Sequence, residues 1–150
     1  MKATSPRAHA IRLLARREYA RAELEQKLLT QGWERKELRA ALDELTAEGY
    51  LSDSRYAHTL AAQKAGRYSR RSIASELKTK GIDPPEIDAA LAEAKIDDEA
   101  TMKGLWERRF GRAPADEREK ARQVRFLQSR GFALSAILKL LRAAERGELA

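Results

Sequence analysis

Gly32, Gly81 and Gly131 stand 49 and 50 residues apart, and the residues around them repeat with them. Four positions before each glycine lie Leu28, Leu77 and Leu127, and one position after lie Trp33, Ile82 and Phe132. Six after lie Leu38, Ile87 and Ile137, and ten after lie Leu42, Leu91 and Leu141. Tyr19 and Tyr68 both stand thirteen before. Four apolar columns shared by three segments mark a chain built by triplication of one small unit. A unit of about 45 residues buries little alone, so neighbouring units must stack to form a continuous core.

The other glycines punctuate the same units. Gly49, Gly66, Gly111 and Gly147 also close apolar-periodic segments, and only Gly104 falls inside one. That is where a helix end favours a residue able to turn left-handed. No stretch alternates long enough to read as a strand. Each unit therefore reads as three helices. The first opens on Ser5-Pro6, an N-cap followed by a proline at the first helical position. Its stripes are Ala8/Ile11/Leu14/Ala15, then Ala20/Leu24/Leu28, then Leu38/Leu42/Leu45. The second unit gives Tyr56/Leu60, Ile73/Leu77 and Ile87/Leu91/Ala94, with Asp83-Pro84-Pro85-Glu86 as a helix start carrying a capping-box acid. The third gives Met102/Leu105/Trp106, Ala121/Val124/Leu127 and Ile137/Leu141/Ala144, with a longer connection through Gly111-Arg112-Ala113-Pro114-Ala115. The expected fold is all-α, an elongated, curved array of three tandem three-helix repeats with about nine helices in a single domain over 1–150. The repeats fall at about 5–50, 51–95 and 96–150. Such a body offers a long surface to a partner, which favours binding over catalysis.

Composition removes other classes. The chain of 150 residues has no cysteine and only two histidines, His9 and His58. That excludes disulfide scaffolds, zinc fingers, thiol nucleophiles and iron–sulfur sites. No apolar run reaches the ~18–20 residues of a membrane span, and Met1-Lys2-Ala3-Thr4-Ser5-Pro6 lacks a signal peptide's apolar stretch. The expectation is a soluble, cytoplasmic protein. The net charge of +7 is uneven, because residues 101–150 carry twelve Lys/Arg against six Asp/Glu. This points to an anionic partner.

Nothing assembles catalytic chemistry. Asp97-Asp98 and Asp116-Glu117 are adjacent on helices, so neither pair shares a face, and acids at helix starts complement the dipole. Ser52-Asp53-Ser54 reads as a helix N-cap, and His58 as an ordinary helical residue. No Gly-rich phosphate loop or nucleophile elbow is present. No enzyme, cofactor or metal site is expected. The basic residues are more informative. Arg67, Arg70, Arg71, Lys78 and Lys80 surround the second helix of the second unit. Arg118, Arg122 and Arg125 share one helical face, preceded by Arg108, Arg109 and Arg112 and followed by Arg130. They read either as a solvated face, in which Glu119 pairs with Arg122 or Gln123, or as a stripe for phosphates or an acidic partner. Tyr68, Trp106 and Phe126 lie near, with Phe126 read as core rather than a base-stacking platform.

The densest motif is Gly49-Tyr50-Leu51-Ser52-Asp53-Ser54-Arg55-Tyr56-Ala57: a helix stop, a turn, a cap and a helix start. Leu51 is expected to staple onto the new helix, and Tyr50 and Tyr56 to pack their rings with wet hydroxyls. This motif resembles the Gly-Tyr-Leu-Asp-Asp-x-Arg-Phe/Tyr-Ala signature of the RecX regulatory proteins. Tyr19–Leu28 is similar to that family's first repeat, Ile73–Ile82 to its second and Phe126–Phe132 to its third. The likeness runs from Ile11 to Leu141. Ser52 stands in place of the usual first Asp, and Ala20 where a capping Ser is common and where Ser69 stands in the second unit.

The resemblance implies a tandem three-helix-repeat protein without catalytic residues. It implies a modulator of the RecA recombinase that lies in the groove of the RecA–single-stranded-DNA filament and bridges neighbouring protomers. Such a modulator suppresses filament growth, ATP hydrolysis, strand exchange and cleavage of the SOS repressor, and so bears on DNA repair. The candidate partner-binding residues are Gly49, Tyr50, Leu51, Asp53, Arg55, Tyr56, Arg67, Arg70, Arg71, Lys78 and Lys80. Arg118, Arg122, Arg125 and Arg130 are candidates for partner or DNA. The partner expected is the RecA filament on single-stranded DNA, with weak direct DNA binding, no membrane and a monomeric chain. The alternatives are a general helical DNA-binding protein competing for single strands, and a helical-repeat adaptor with no nucleic-acid link.

Overall fold

A computed structural model describes residues 5–149. Among these residues the chain forms nine helices and no strand. They are α1 (Pro6–Leu14), α2 (Arg21–Leu29), α3 (Arg35–Ala47), α4 (Asp53–Lys64), α5 (Arg70–Thr79), α6 (Pro84–Glu93), α7 (Asp98–Arg109), α8 (Glu117–Ser129) and α9 (Leu134–Glu145).

The repeated columns have a local cause. After α5, Gly81 N–H donates to Lys78 O (3.0 Å) and Ile82 N–H to Leu77 O (3.1 Å). After α8, Gly131 N–H donates to Gln128 O (3.0 Å) and Phe132 N–H to Leu127 O (3.3 Å). This is the Schellman stop, in which a leucine inside the last turn, a left-handed glycine and an apolar residue form one motif. The sequence columns four before and one after the glycine are its two apolar members. Gly81 and Gly131 have φ of 81° and 97°, as the motif requires.

The chain divides into two compact units, Met1–Leu60 with Glu76–Ala90, and Ala61–Ser75 with Leu91–Ala150. In the first, α1 packs on α2 and α3. Its core holds Ala10, Tyr19, Leu24, Leu28, Leu38, Leu42, Leu45 and Leu51, with Leu13, Leu14, Leu29 and Trp33 against it. Ser5 caps α1 by accepting from Ala8 N–H at 3.0 Å, with Pro6 at the first helical position, as the sequence implies. The expected α1 stripe needs correction: Ala10, Leu13 and Leu14 face inward, whereas Ile11 and Ala15 are exposed. Both stripes have helical spacing. Packing on α3 selects the face from which Arg7 also reaches Glu44 (3.3 Å) and Glu48 (2.7 Å).

In the second unit, α8 lies between contacts to α7 and α9. Its core holds Met102, Leu105, Trp106, Leu127, Phe132, Ile137, Leu140 and Leu141. The α8 stripe also needs correction. Ala121 is exposed, and Gln123 is fully buried in its place. The buried amide has a task. Its Oε1 accepts from Trp106 Nε1–H (2.9 Å), and its Nε2 donates to Arg112 O (3.3 Å), which pins the connection between α7 and α8. Gln123→Leu is expected to lower unfolding free energy by about 2 kcal/mol, because it strands a buried indole N–H. Urea denaturation followed by Trp106 fluorescence reads this directly.

Candidate functional site

The junction motif is built as a connector. Gly49 N–H donates to Thr46 O (3.1 Å) and Tyr50 N–H to Leu45 O (2.9 Å), which stops α3. Leu51 follows at 2% exposure in the core. Ser52 Oγ then accepts from Arg55 N–H (3.1 Å) and caps α4. Arg55 ties the turn together through Glu18 (3.0 Å) and Tyr50 O (3.2 Å). Tyr56 is 8% exposed, so only Tyr50, at 55%, keeps an open ring. Burial and the nearby Glu23 carboxylate push the Tyr56 hydroxyl pKa up. The motif thus turns Leu51 and Tyr56 into the interior and leaves Gly49, Tyr50 and Arg55 outside.

Asp53 has a role the sequence does not suggest. Its Oδ1 accepts from Arg21 N–H at 2.7 Å, so a residue of α4 satisfies the start of α2. Ala20, which has no hydroxyl, is thereby relieved of that duty, and Glu23 accepts from Ala20 N–H at 3.4 Å. The same device recurs one repeat later, where Asp98 of α7 accepts from Arg70 N–H of α5 at 2.7 Å. There Ser69 also accepts from Ser72 N–H (3.1 Å) and donates to Gly131 O (2.8 Å). In the third repeat, α8 is capped from its own chain start. Asp116 accepts from Glu119 N–H (2.8 Å), and Glu119 accepts from Ala115 N–H (3.1 Å). Glu119 therefore answers a backbone N–H and not Arg122 or Gln123. Asp53→Ala and Asp98→Ala are each expected to cost about 1–2 kcal/mol, the range of a lost helix cap. Chemical denaturation of the two variants measures it.

The basic candidates divide by their partners. Lys80 lies 2.9 Å from Glu23, which Arg17 also meets at 3.3 Å. Burial opposes ionisation of Glu23, but hydrogen bonds from Arg17 and Lys80 win and hold its pKa below the usual value. Its stabilising contribution is present above the ordinary glutamate range and is lost as pH falls through the lowered pKa. Lys80 is thus occupied within the fold. Arg67, Arg70, Arg71 and Lys78 are exposed. Within 4.0 Å, none of their charges meets a carboxylate among the described residues.

The third repeat gathers the densest charge. Arg112, Arg118, Arg122 and Arg125 line one open depression with Asp116 and Glu119, the two acids already held by backbone N–H groups. Beside it runs a series of stacked cations and rings. Lys64 Nζ lies 4.6 Å from the Tyr68 centroid, and the Arg130 guanidinium lies 4.9 Å from Tyr68 and 5.3 Å from Phe126. Arg109 covers Phe126 at 4.5 Å, Phe126 meets Phe110 edge-on at 5.6 Å, and Arg122 lies 5.7 Å from Phe110. Phe126 is half-buried with cations over it, so it is neither plain core nor a free platform. Such contacts satisfy part of each guanidinium's charge on a ring face and still allow its N–H groups to meet an anion. By contrast, Arg7, Arg17, Arg21, Arg35 and Arg39 of the first repeat are all ion-paired. Among the described residues, Arg108, Arg109, Arg112, Arg118, Arg122, Arg125 and Arg130 make no ion pair within 4.0 Å. Sequence reading singled out Arg118, Arg122, Arg125 and Arg130 but not the stacking with Lys64, Arg109 and Phe110. The i,i+4 pairs Lys64/Tyr68 and Phe126/Arg130 were its signal.

Among the described residues, no cluster of three or more His, Cys, Asp or Glu side chains could hold a metal ion, and no helix is long and apolar enough to cross a membrane. Family models match the chain in three blocks, the first, second and third three-helix domains of RecX, at residues 7–45, 52–91 and 97–141. The regulatory protein RecX of Chromobacterium violaceum is 43% identical over 91% of this chain and 89% of its own. That of Herminiimonas arsenicoxydans is 40% identical over 96% and 95%. Among solved structures, RecX from Lactobacillus salivarius shares the fold with a TM-score of 0.66, at 17% identity over 94% of this chain and 95% of that one.

Proposed function

The chain belongs to the RecX family of regulatory proteins, and from that premise we propose that it is a negative modulator of the RecA recombinase. It binds in the groove of the RecA–single-stranded-DNA filament and restrains ATP hydrolysis, strand exchange and co-protease activity, without catalysis of its own. In this reading it acts as a cytoplasmic monomer in DNA repair and the SOS response. The observation that carries the contact is the open arginine set on α8, Arg118, Arg122 and Arg125, with Arg112 and Arg130 beside it. A filament groove exposes acidic protein surface and DNA phosphate, and both are ligands for unpaired guanidinium groups. Arg67, Arg70, Arg71 and Lys78 are offered to the same partner. Gly49, Tyr50 and Arg55 present the junction's outer edge, while Leu51, Asp53 and Tyr56 set its shape.

The test is RecA ATPase on single-stranded DNA with this protein titrated in. Inhibition at concentrations that leave the naked DNA unbound is the expected result. A second reading, competition for the DNA itself, draws on Arg122 and Arg130, which lie against aromatic rings, a pattern that suits single strands. Inhibition only where the DNA is already coated would select that reading. No effect at all would remove both and leave a helical adaptor.

A further inference from the structure

A second surface of the third repeat has a different chemistry. Between α7 and α9 runs a groove of about 480 Å³ with a mainly apolar lining. Its floor is Met102, Phe132, Ala136 and Leu140. From the N-cap of α9 onward, Ala133, Ala136, Leu140 and Ala143 follow at spacings of three and four, a row that borders the Ile137/Leu141 stripe and shares Leu140 with the core. Leu134, beside this face, is 48% exposed. The volume lies in the range of pockets that hold a ligand's apolar face.

The rim says what fits. Arg71, Lys103 and Lys139 stand on α5, α7 and α9 around the apolar floor. Arg71 and Lys139 are exposed, with no ion pair among the described residues, and Lys103 touches Glu107 only at 3.9 Å. Of the two rim acids, Asp98 already accepts the Arg70 N–H, leaving Glu99 as the one carboxylate without a hydrogen bond among the described residues. A nucleic acid is a poor match, because the floor's aromatic residue, Phe132, is buried at 7% exposure and two carboxylates share the rim. A second copy of this chain is a poor match too. Among the described residues its exposed large apolar side chains are Ile11, Tyr50 and Leu134, and Ile11 is flanked by Arg7 and Arg12.

We propose that this groove docks an amphipathic helical segment of a partner protein whose apolar face is bordered by Asp and Glu. Apolar anchors at i, i+3/i+4 and i+7 enter the floor between α7 and α9, and the bordering carboxylates meet Arg71, Lys103 and Lys139. This surface is separate from the arginine face of α8 and shares only Arg71 with the basic set on α5.

The test uses the full chain and a fluorescein-labelled synthetic helix of roughly 15 residues, with Leu at helical spacing and Glu between, read by anisotropy. Its counterpart carries Lys for every Glu. The Glu peptide is expected to bind with a Kd in the tens of micromolar, and the Lys peptide about tenfold or more weaker. Ala136→Trp, which fills the groove from an exposed position, and Lys139→Glu are each expected to weaken the Glu peptide about tenfold while leaving single-stranded DNA binding unchanged. If Ala136→Trp lowers the melting temperature, Lys139→Glu alone decides. Equal binding of both peptides, no binding by either, or a Glu peptide indifferent to Lys139→Glu would each overturn the proposal.

Discussion

Removing the charges of Arg118, Arg122 and Arg125 together is expected to weaken binding to RecA–DNA filaments about a hundredfold. The three side chains line one depression and have no acid of their own within 4.0 Å among the described residues, so they lose no internal ion pair when truncated. A charge-assisted contact is worth about 1 kcal/mol or more, and three make about 3 kcal/mol, roughly a hundredfold. If phosphate is the acceptor, the salt slope of log K should also fall by about 2. The fold should survive, because all three side chains are exposed on α8. The control is Arg35→Ala with Arg39→Ala, which removes charges already paired to Glu25 at 3.1 and 3.2 Å. That pair should leave filament affinity almost unchanged.

The second large effect concerns the fold and sits at Gly131. Its φ of +97° is left-handed, and an added Cβ would lie 2.7 Å from Ser72 Cβ and closer still to Ser69 Oγ. Gly131→Ala therefore combines backbone strain with a collision against the buried Ser69, whose hydroxyl also holds Gly131 O at 2.8 Å. The expected loss is about 2–4 kcal/mol, the sum of a left-handed alanine and an overpacked contact. Gly66→Ala separates the two causes. It shares the left-handed backbone, at φ +80°, but its Cβ would meet nothing within 4 Å. It should cost only about 1 kcal/mol. Thermal melts of the two variants side by side measure the difference.

The triplicate pattern was legible because it is local physics repeated. Leucine, left-handed glycine and the next apolar residue form the Schellman stop, so its spacing survives in sequence without knowledge of packing. The helix starts at Ser5 and Ser52 were legible for the same reason, since each cap needs only its own next turn. What was not legible depends on partners far along the chain. Asp53 and Asp98 act on helices 32 and 28 residues earlier, and nothing in their neighbourhood announces it. Gln123 reads as a surface residue until Trp106 is placed opposite it. The choice between Ile11 and Leu13 on α1 is a tie in periodicity that α3 breaks. Among the candidate residues, sequence marked the α8 arginines by spacing, but their lack of carboxylate partners is a three-dimensional fact. Lys80 carries the same charge, yet it is engaged by Glu23, and only the fold distinguishes the two cases.

The most direct measurement is co-sedimentation of this protein with preformed RecA filaments on single-stranded DNA, alongside the same DNA without RecA. Half-saturation of the filament is expected at about tenfold or more lower concentration than of naked DNA, with loss of that preference in the Arg118/Arg122/Arg125 triple-alanine variant. Equal or tighter binding to the naked strand, or a filament preference that the triple variant keeps, would contradict it.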